Sequence, residues 1–314
     1  MKAAILTKAG FEIRDIKTPA CGDDEILIQV TACGVCSGDV FVYKNRAELA
    51  ATYPRLGHEA SGVISAVGKN VTGFDVGDLV TTFGLQAYAE VLVTTPETTV
   101  RIPAGIDPVL ALGEPVACCV HAGNRFGTQT DDRVALVGCG FMGLICQQIA
   151  IHQGAEYILA IDPIQERRET AKSLGAAASA NPLEINADAI LEKFGPVDLV
   201  IEAAGNQSAL DLCTPLVREH GRIILIGYHQ SNGGLRTVNM ERWNFKAIDV
   251  VNGHVRREDE KLDAMRQGMS MMAAGQIVTE PLVTTYPIEA ITTAFDDLTK
   301  GNPGLFKAVL LMDS

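Results

Sequence analysis

The spacing of apolar residues changes once along this chain, near residue 117. Before that point, short apolar runs at 26–30, 62–67 and 90–93 are separated by glycine and proline. Short strands at close spacing indicate a β-rich, barrel-like unit. Residues 1–116 are therefore predicted to form most of a β-rich domain.

Beyond residue 117 the pattern alternates between apolar strand runs and helix-like stretches. The strand runs lie at 133–137, 157–161, 198–202, 222–226 and 247–251. A helix pattern at 142–153 follows the first of them, and Gly154 is expected to end it. Alternating units of this kind predict a doubly wound parallel sheet with helices on both faces. The second domain is therefore predicted to span 117–252.

The remaining segment, 253–314, contains a helix pattern at 258–274 and ends in an apolar run at 306–311. A terminal apolar strand needs a sheet to pair with, because an open strand edge exposes unpaired backbone groups. The last strand is therefore expected to rejoin the first domain, which would combine 1–116 with 253–314 in an α/β protein of two domains.

Composition limits the possible partners. The chain has 314 residues, a net charge of −12 and a pI near 5.0, which disfavours nucleic acid and anionic membranes because both need basic surfaces. No stretch is long and apolar enough for a membrane span, and the N-terminus lacks the apolar core of a signal peptide. The eight cysteines show no paired spacing, so they are interpreted as reduced thiols of a cytoplasmic protein.

Three glycines, Gly138, Gly140 and Gly143, stand between a strand run and a helix pattern, with Phe141 and Met142 before the third. In this context the first glycine allows a tight turn, the second lets the backbone approach a pyrophosphate, and the third permits close packing of helix on strand. The N-terminus of the helix favours the anionic pyrophosphate. The sequence therefore predicts a dinucleotide site, the alternative being a glycine turn in a nucleotide-free domain.

The choice between NAD and NADP depends on the residues after the next strand. Asp162 ends that strand, nineteen residues after Gly143. Its carboxylate is expected to accept hydrogen bonds from ribose hydroxyls and to repel a 2′-phosphate, so NAD is predicted. Arg167 and Arg168 leave NADP open, because either could neutralise such a phosphate.

A second set of residues has metal-ligand chemistry. Cys36 lies twenty-two residues before His58, Glu59 follows, and Glu114 is a further candidate. Zn²⁺ takes sulfur, nitrogen and carboxylate ligands, and a catalytic zinc has three protein ligands and one exchangeable position. Each residue also has a structural alternative, since a cysteine is frequently a small buried residue and the histidine could be a polar turn residue.

Six short segments form a pattern that extends over the whole chain. They read GVCSGD, GHEASGVISAVG, GDLV, GCGFMG, DLVIEAAG and GRIILIGY, and they begin at residues 34, 57, 77, 138, 198 and 221. Together they resemble the zinc-dependent medium-chain alcohol dehydrogenase family. The resemblance implies a GroES-like catalytic domain built from both chain ends around a Rossmann domain, with the active site in the cleft between them.

The resemblance also implies roles for individual residues. Cys36 and His58 match the family's first two zinc ligands, and Glu59 matches a neighbouring glutamate that either ligates the metal or supports it. Asp39 matches the acid that orients the histidine and raises its basicity. Glu114, followed by proline, resembles the polyol branch exemplified by sorbitol dehydrogenase, where this glutamate reaches zinc directly or through water.

Two departures from the family pattern change the expected chemistry. The four closely spaced cysteines of a structural zinc lobe are absent after residue 80, so one catalytic zinc and no structural zinc are predicted. Cys118 and Cys119 are rival ligands, but they are interpreted as helix-packing residues. The family's hydroxyl is displaced by one residue to Ser37, so either Ser37 still reaches the substrate or water and another group relay the proton.

Three residues are candidates for the substrate pocket. Tyr43 lies seven residues after Cys36, where the polyol branch frequently has a substrate-facing aromatic side chain. Asn252 and His254 follow the last predicted Rossmann strand. All three could bond to substrate hydroxyls, and their alternatives are a packed tyrosine, a turn asparagine and a solvated histidine.

These features predict a zinc-dependent oxidoreductase that transfers hydride between a secondary alcohol, such as a polyol or sugar alcohol, and NAD. A zinc-free, NADPH-dependent quinone-type reductase and a non-catalytic NAD-binding sensor or scaffold are the alternatives. The expected partners are a small-molecule alcohol or ketone, with no nucleic acid and no membrane. The resemblance implies a homodimer or homotetramer through the Rossmann sheets, with 247–251 as the edge strand.

Overall fold

The computed structural model describes residues 1–48 and 56–312. Within these ranges the strands are β1 Lys2–Thr7, β2 Gly10–Asp15, β3 Ile26–Gly34, β4 Ala60–Val67, β5 Leu79–Thr82, β6 Val91–Thr94, β7 Thr99–Arg101, β8 Arg133–Val137, β9 Tyr157–Ile161, β10 Ala178–Ala180, β11 Val197–Glu202, β12 Val217–Leu225, β13 Asp249–Asn252, β14 Val283–Pro287 and β15 Lys307–Leu311. The α-helices are α1 Ser37–Lys44, α2 Gly113–Gly123, α3 Phe141–His152, α4 Gln165–Ser173, α5 Ala187–Phe194, α6 Gln207–Leu216, α7 Met240–Lys246, α8 Glu258–Ala273 and α9 Ile291–Lys300. None of the described helices combines the length and apolar character needed to cross a membrane.

The chain divides into two compact units. The first combines Met1–Ala117 with Arg257–Gly275 and the segment that begins at Thr279. The second comprises Cys118–Arg256 and the short segment Gln276–Val278. The first unit therefore contains the beginning of the chain and its last described strand.

The first unit is built on a seven-stranded sheet. Its strands follow the order β14-β15-β3-β4-β5-β7, with β6 also paired to β3, and β1 and β2 form a separate antiparallel hairpin. The last strand, β15, pairs parallel with β14 and antiparallel with β3. This unit confirms the predicted β-rich, GroES-like fold, and the terminal apolar run completes its sheet as expected.

Strand β3 leads directly to the candidate metal segment. Alternate residues of this strand, Ile26, Ile28 and Val30, are fully buried. Burial of each such aliphatic side chain contributes about 1.5–3 kcal/mol. The same core contains an aromatic cluster in which the Phe11 and Phe295 ring centroids are 4.7 Å apart. Cys33 and Val35, at and just after the carboxyl end of β3, are buried in the same core.

The second unit contains a six-stranded parallel sheet in the order β10-β9-β8-β11-β12-β13. In chain order this is 3-2-1-4-5-6, the order of doubly wound dinucleotide-binding sheets. The strand order reverses between β8 and β11, and ligands bind at the carboxyl ends of the strands at such a switch point. The predicted Rossmann-type fold is confirmed.

The structure corrects the start of the last Rossmann strand. The strand begins at Asp249 rather than at residue 247, because helix α7 precedes it and ends at a left-handed Ala247 with φ 49°. A left-handed residue closes a helix and cannot continue a strand. The apolar character of 247–251 indicated the strand, but it gave no sign of where the preceding helix ends.

Candidate metal centre and dinucleotide turn

Cys36 lies at the junction of β3 and α1. It caps the N-terminus of α1, and its Sγ accepts a hydrogen bond from the Gly38 amide at 3.4 Å. The positive end of the helix dipole favours negative charge at this position. Ser37, the predicted proton-relay residue, is exposed at the first helical position, and Asp39 is buried in the first turn. One short helix therefore carries the predicted sulfur ligand and the acid predicted to orient the histidine.

His58 and Glu59 lie immediately before β4, which pairs antiparallel with β3. In this ladder Cys33 is opposite Ala60, and the Gly34 amide donates to the Glu59 carbonyl at 3.0 Å. Strand pairing thus closes the gap in sequence and brings the histidine and glutamate next to the end of β3.

Cys36, His58 and Glu59 offer one sulfur, one imidazole nitrogen and one carboxylate oxygen that all lie within 4.8 Å of one another. In the described part of the chain this is the one group of three or more such ligands. Sulfur with nitrogen and a carboxylate oxygen suits Zn²⁺. Both carboxylate oxygens of buried Glu59 face a cationic group, Lys307 Nζ, and each oxygen has a further lone pair that a metal ion could use. These donors therefore fit a metal ion, and we name the three residues the metal group.

A buried chain of polar contacts supports His58. Its Nδ1 lies 3.8 Å from Asp39 Oδ1, and the Tyr88 hydroxyl donates to Asp39 Oδ2 at 2.6 Å. Burial lowers the pKa of His58, but the adjacent Cys36 sulfur and two carboxylates outweigh burial and raise that pKa to about 10. The anions around the imidazole therefore favour positive charge at this place.

Glu59 also forms a buried ion pair with Lys307 of β15. The Lys307 Nζ donates to Glu59 Oε1 at 2.7 Å and to the Val35 carbonyl at 3.1 Å, and it lies 2.5 Å from Glu59 Oε2. Burial raises the pKa of Glu59 although Lys307 opposes this shift. For Lys307 burial lowers the pKa, but Glu59 outweighs it and the pKa is raised. Both pKa values are raised, which favours the neutral form of Glu59 but the charged form of Lys307. The short contacts are those of an ionised pair.

Glu114 lies in the first turn of α2 and is buried. Its Oε1 accepts a hydrogen bond from Lys261 Nζ of α8 at 3.0 Å. Burial raises the pKa of Glu114, but Lys261 and then His58 outweigh it and lower that pKa. The structure therefore places Glu114 within electrostatic reach of the metal group but outside its three ligands, held by a lysine.

The charges around the metal group suit a divalent cation. Metal binding requires Cys36 as a thiolate and His58 as a neutral imidazole. Four anionic side chains and two lysines then lie in or next to the metal group. The anionic side chains are Cys36, Asp39, Glu59 and Glu114, and the lysines are Lys261 and Lys307. Two negative charges remain, which one divalent cation would balance.

The glycine turn follows β8 in the second unit. Gly138 has φ 99°, and a Cβ there would lie 2.7 Å from Ala204 N. A Cβ on Gly143 would overlap the Gly138 carbonyl. A Cβ on Gly140, in contrast, would meet nothing nearer than Arg167 Nη1 at 3.9 Å. Internal packing therefore explains two of the glycines, whereas the open space at Gly140 fits the close approach of a ligand.

Helix α3 begins directly after this turn. Gly140 is its N-cap, Phe141 is buried, and the first turn carries no acidic residue. Its N-terminal amides and dipole therefore suit an anion. Half-buried Met142 accepts a hydrogen bond at its carbonyl from the Cys119 Sγ at 3.4 Å. This contact is consistent with the packing interpretation of Cys119, and Cys118 is half-buried in α2.

Asp162 is buried just after β9. Its Oδ2 accepts a hydrogen bond from Cys139 N at 2.9 Å, and its Oδ1 accepts one from Ile164 N at 2.8 Å. The carboxylate thus ties the glycine turn to the end of β9. Arg168 donates to the Asp162 carbonyl at 2.7 Å, and Arg167 lies at the glycine turn. The ribose contact of Asp162 stays a prediction.

The predicted substrate residues have different surroundings. Tyr43 is buried in the aromatic core of the first unit, and its hydroxyl donates to Asp296 at 2.8 Å. These contacts correspond to the packed alternative for Tyr43, not to a substrate-facing side chain. In the second unit the exposed Asn252 accepts a hydrogen bond from His254 N at 2.9 Å, and His254 Nε2 lies 3.4 Å from the Gly227 carbonyl. The structure therefore brings two of the three residues together.

Two family models match the chain and overlap in its middle. Residues 22–154 match the model described as alcohol dehydrogenase GroES-like domain, and residues 142–272 match the model described as zinc-binding dehydrogenase. Together they span 22–272. The chain belongs to the zinc-dependent medium-chain dehydrogenase family. It is therefore an oxidoreductase of the alcohol dehydrogenase type, and this prediction from its sequence is confirmed.

Individual family members resemble the chain over nearly its whole length. L-Threonine 3-dehydrogenase from Bacillus velezensis is 27% identical, and the match covers 99% of each chain. An alcohol dehydrogenase (rspB) from Escherichia coli CFT073, complexed with NADH, superimposes with a TM-score of 0.88 at 22% identity over 99% of each chain. A Sinorhizobium meliloti 1021 protein described as a zinc-binding dehydrogenase and bound to NADP gives 0.86 at 23% identity over 99% of each chain. The two structures share the fold of this chain.

Three side chains that support the site were not predicted from the sequence: Tyr88, Lys261 and Lys307. Lys307 had a local signal, because it is the one charged residue in the apolar run 306–311. Tyr88 and Lys261 had none, since their partners lie 49 and 147 residues away along the chain. Only the folded arrangement shows these contacts.

Proposed function

We propose that this chain oxidises a secondary alcohol to a ketone, with NAD⁺ as hydride acceptor, at a single zinc ion. The observation that carries this proposal is the convergence of Cys36, His58 and Glu59 within 4.8 Å. In the reaction the carbinol carbon gives a hydride to the nicotinamide ring, and the hydroxyl oxygen gives a proton to solvent. One NADH and one proton form for each ketone, so atoms and electrons balance.

The first unit would hold the metal and the reacting oxygen. Cys36 and His58 would bind zinc directly, with Glu59 as the third ligand. When bound, zinc would act as a Lewis acid and lower the pKa of the substrate hydroxyl. Asp39 orients the imidazole ring of His58, and Tyr88 in turn holds Asp39.

The second unit would bind the cofactor at the glycine turn. The pyrophosphate is assigned to the N-terminus of α3, with Gly140 giving it room and Gly138 and Gly143 shaping the turn. When bound, NAD supplies the hydride acceptor. Each Asp162 oxygen already accepts one amide and keeps a further lone pair for a ribose hydroxyl. The charge of Asp162 favours NAD, and Arg167 is the residue that would accommodate a 2′-phosphate.

The substrate proton would leave through Ser37 or through water. Ser37 is exposed and directly follows the sulfur ligand, so its hydroxyl is available to exchange a proton with solvent. The displaced position of this hydroxyl makes water the competing route.

The proposed substrate is a secondary alcohol, with polyols and hydroxy amino acids as the two classes to compare. Glu114 followed by proline supports the polyol class by its resemblance to that branch. The relative named L-threonine 3-dehydrogenase supports a hydroxy amino acid, because the hydroxyl of threonine is also secondary. His254 and Asn252 are the proposed pocket residues in the second unit.

We also propose a homo-oligomer built through the edge of the Rossmann-type sheet. Strand β13 ends that sheet, and the Phe245 side chain in the preceding helix is 80% exposed. An open strand edge with apolar neighbours is stabilised by pairing with a second copy. The mass of the purified protein in solution tests this part of the proposal.

Two variants test the zinc mechanism. Cys36→Ser and His58→Gln should lose bound zinc. Each should also lower the rate of NADH formation by more than about a hundredfold, which is the largest loss expected when a residue that only supports a ligand is removed. Their circular dichroism should remain that of the unaltered protein. Cys21→Ala is the matched control, since this half-buried thiol lies outside the metal group. Full turnover by either ligand variant would indicate a zinc-free reductase.

A further inference from the structure

Three polar side chains form a row at the carboxyl ends of β11 and β12, and the site described above uses none of them. Glu202 ends β11 and is fully buried, and His229 follows β12 with its side chain 17% exposed. The His229 Nε2 lies 3.0 Å from Glu202 Oε2, and Arg236 Nε donates to His229 Nδ1 at 2.8 Å. These three residues, which we name the polar row, join the connections that follow two neighbouring strands.

The arginine fixes which atoms of the polar row donate. A guanidinium group only donates, so His229 Nδ1 accepts and the proton of the imidazole ring lies on Nε2. That proton is then donated to Glu202 Oε2. The other oxygen, Oε1, accepts the amides of Ala204 at 3.0 Å and Gly205 at 2.7 Å. Within the described part of the chain, every hydrogen-bond partner of this carboxylate is therefore a donor.

Glu202 thereby holds the turn at 203–205, which packs against the glycine turn. The first amide of the 203–205 turn donates to the Val137 carbonyl at 2.8 Å. A Cβ on Gly138 would lie only 2.7 Å from Ala204 N. Because the two backbones are in contact in a close-packed interior, a displacement of the 203–205 turn would also move the glycine turn.

Arg236 ties the loop after β12 to the same place. Its Nη1 donates to the carbonyls of Ser231 and Leu235, and its Nη2 donates to the Ser231 hydroxyl and, at 3.1 Å, to the Gly205 carbonyl. The loop contains left-handed backbone at 232–234 and leads to α7. One guanidinium group therefore cross-links the loop, the imidazole and the turn after β11.

We propose that His229 and Arg236 are positioning residues for the dinucleotide. They act through Glu202, which holds the 203–205 turn against the glycine turn in the conformation that binds the cofactor. Their contacts described above lie in the second unit, so they should affect cofactor binding and not zinc binding. This inference rests on the proposed function, because it assigns NAD to the glycine turn.

The test measures the affinity for NADH by fluorescence titration. Arg236→Met should weaken NADH binding by about tenfold, the effect of one lost hydrogen bond to a charged group. Glu202→Gln should weaken it by a similar factor, because the new amide group must turn a donor toward another donor.

The double variant tests the hydrogen-bonding roles directly. Without Arg236 the His229 ring can carry its proton on Nδ1 and accept at Nε2 from the amide of Glu202→Gln. In the Arg236→Met background, Glu202→Gln should therefore weaken NADH binding by no more than about threefold, because the two sites are coupled. A purely structural loss at each site would instead add.

The controls separate this effect from a change of net charge or of fold. Arg218→Met removes the same charge from the amino end of β12, where Arg218 pairs with Asp198 at 2.6 Å, and should leave NADH affinity unchanged. Zinc affinity, measured by chelator competition, should be the same in all these variants. If Glu202→Gln is poorly folded, His229→Phe takes its place, and its loss combined with Arg236→Met should again be less than additive.

The outcomes distinguish this inference from the proposed function. NADH affinity of Arg236→Met within about twofold of the unaltered protein, or losses that add in the double variant, would overturn the positioning role and leave the assignment of NAD standing. An unaltered protein that binds no NADH would overturn both. A loss that is less than additive, with zinc affinity unchanged, would support the positioning role.

Discussion

Gly140 and Gly143 belong to one turn, but the structure gives them different tasks. A side chain at Gly143 would overlap the Gly138 carbonyl, whereas a side chain at Gly140 has open space around it. The backbone at Gly140 has φ −80°, which alanine adopts without strain. Packing therefore requires the second glycine of this pair, whereas we expect the first to give a ligand room.

Alanine substitutions should separate the two tasks. Gly140→Ala should weaken NADH binding by about tenfold or more, a loss of about 1.4 kcal/mol, with little change in melting temperature. Gly143→Ala should lower the stability of the free protein by about 1–3 kcal/mol, because the added methyl overpacks the turn. NADH titration and thermal denaturation measure these effects. Equal melting temperatures for the two variants would contradict this assignment.

Tyr88 stabilises the metal group although it lies outside it. Its hydroxyl holds Asp39, which faces His58. Tyr88→Phe leaves the buried carboxylate short of one donor, so stability should fall by about 1–3 kcal/mol and zinc affinity by about tenfold.

Tyr43→Phe is the matched control for this substitution. Tyr43 occupies the same aromatic core, but its hydroxyl binds Asp296 instead. The Tyr43→Phe substitution should therefore leave zinc affinity unchanged. Chelator competition measures the zinc affinity of both variants, and chemical denaturation measures their stability. An equal loss of zinc affinity in both variants would mean that the contact between Tyr88 and Asp39 has no special role.

At the scale of elements, the metal group is assembled by strand pairing. Strand β3 leads to Cys36, β4 follows His58 and Glu59, and β15 on the other side of β3 carries Lys307. Three strands distant in sequence therefore place three components of one site. The C-terminal strand is part of the site and not only of the sheet.

Loss of Lys307 should be costly in the absence of metal. Lys307→Met leaves Glu59 buried without its partner, and breaking a buried pair destabilises by about 3–5 kcal/mol. Saturating zinc should restore part of the loss, because the cation replaces the missing positive charge. Chemical denaturation with and without zinc measures both effects.

Lys300→Met is the control for this variant. Lys300 is exposed and lies 3.9 Å from Asp297, so its removal should change stability by no more than about 0.5 kcal/mol. A Lys307 variant that is as stable as this control would show that the pair with Glu59 is not required.

The elements were largely predictable from the sequence, and the side-chain partners were not. Apolar runs indicated five of the six described parallel strands, all but the three-residue β10, and the glycine pattern marked the turn before α3. The start of β13 was missed because Ala247 ends a helix in a left-handed conformation, which propensity does not reveal. The Lys307 and Lys261 ion pairs were missed because they depend on contacts over 248 and 147 residues. Local pattern can single out Lys307 as a charge in an apolar run, but it does not identify the partner of either lysine.

At the scale of the whole molecule, the two units divide the chemistry. The first, which contains the beginning of the chain and its last described strand, holds the metal group, and the second holds the dinucleotide turn at the switch point of its sheet. Each site is incomplete for alcohol oxidation alone, because one offers metal ligands and the other a cofactor turn. The proposed reaction requires both units to act on one substrate.

The most direct test of the central claim is elemental analysis of the purified protein coupled to a screen for NAD⁺ reduction over polyols, hydroxy amino acids and other secondary alcohols. The proposed mechanism predicts about one zinc per chain, since three ligands form one site, and NADH formation that a chelator abolishes and added zinc restores. Purified protein that lacks bound metal and stays inactive after zinc addition would contradict this mechanism. NADH formation that persists in the presence of the chelator would contradict it as well.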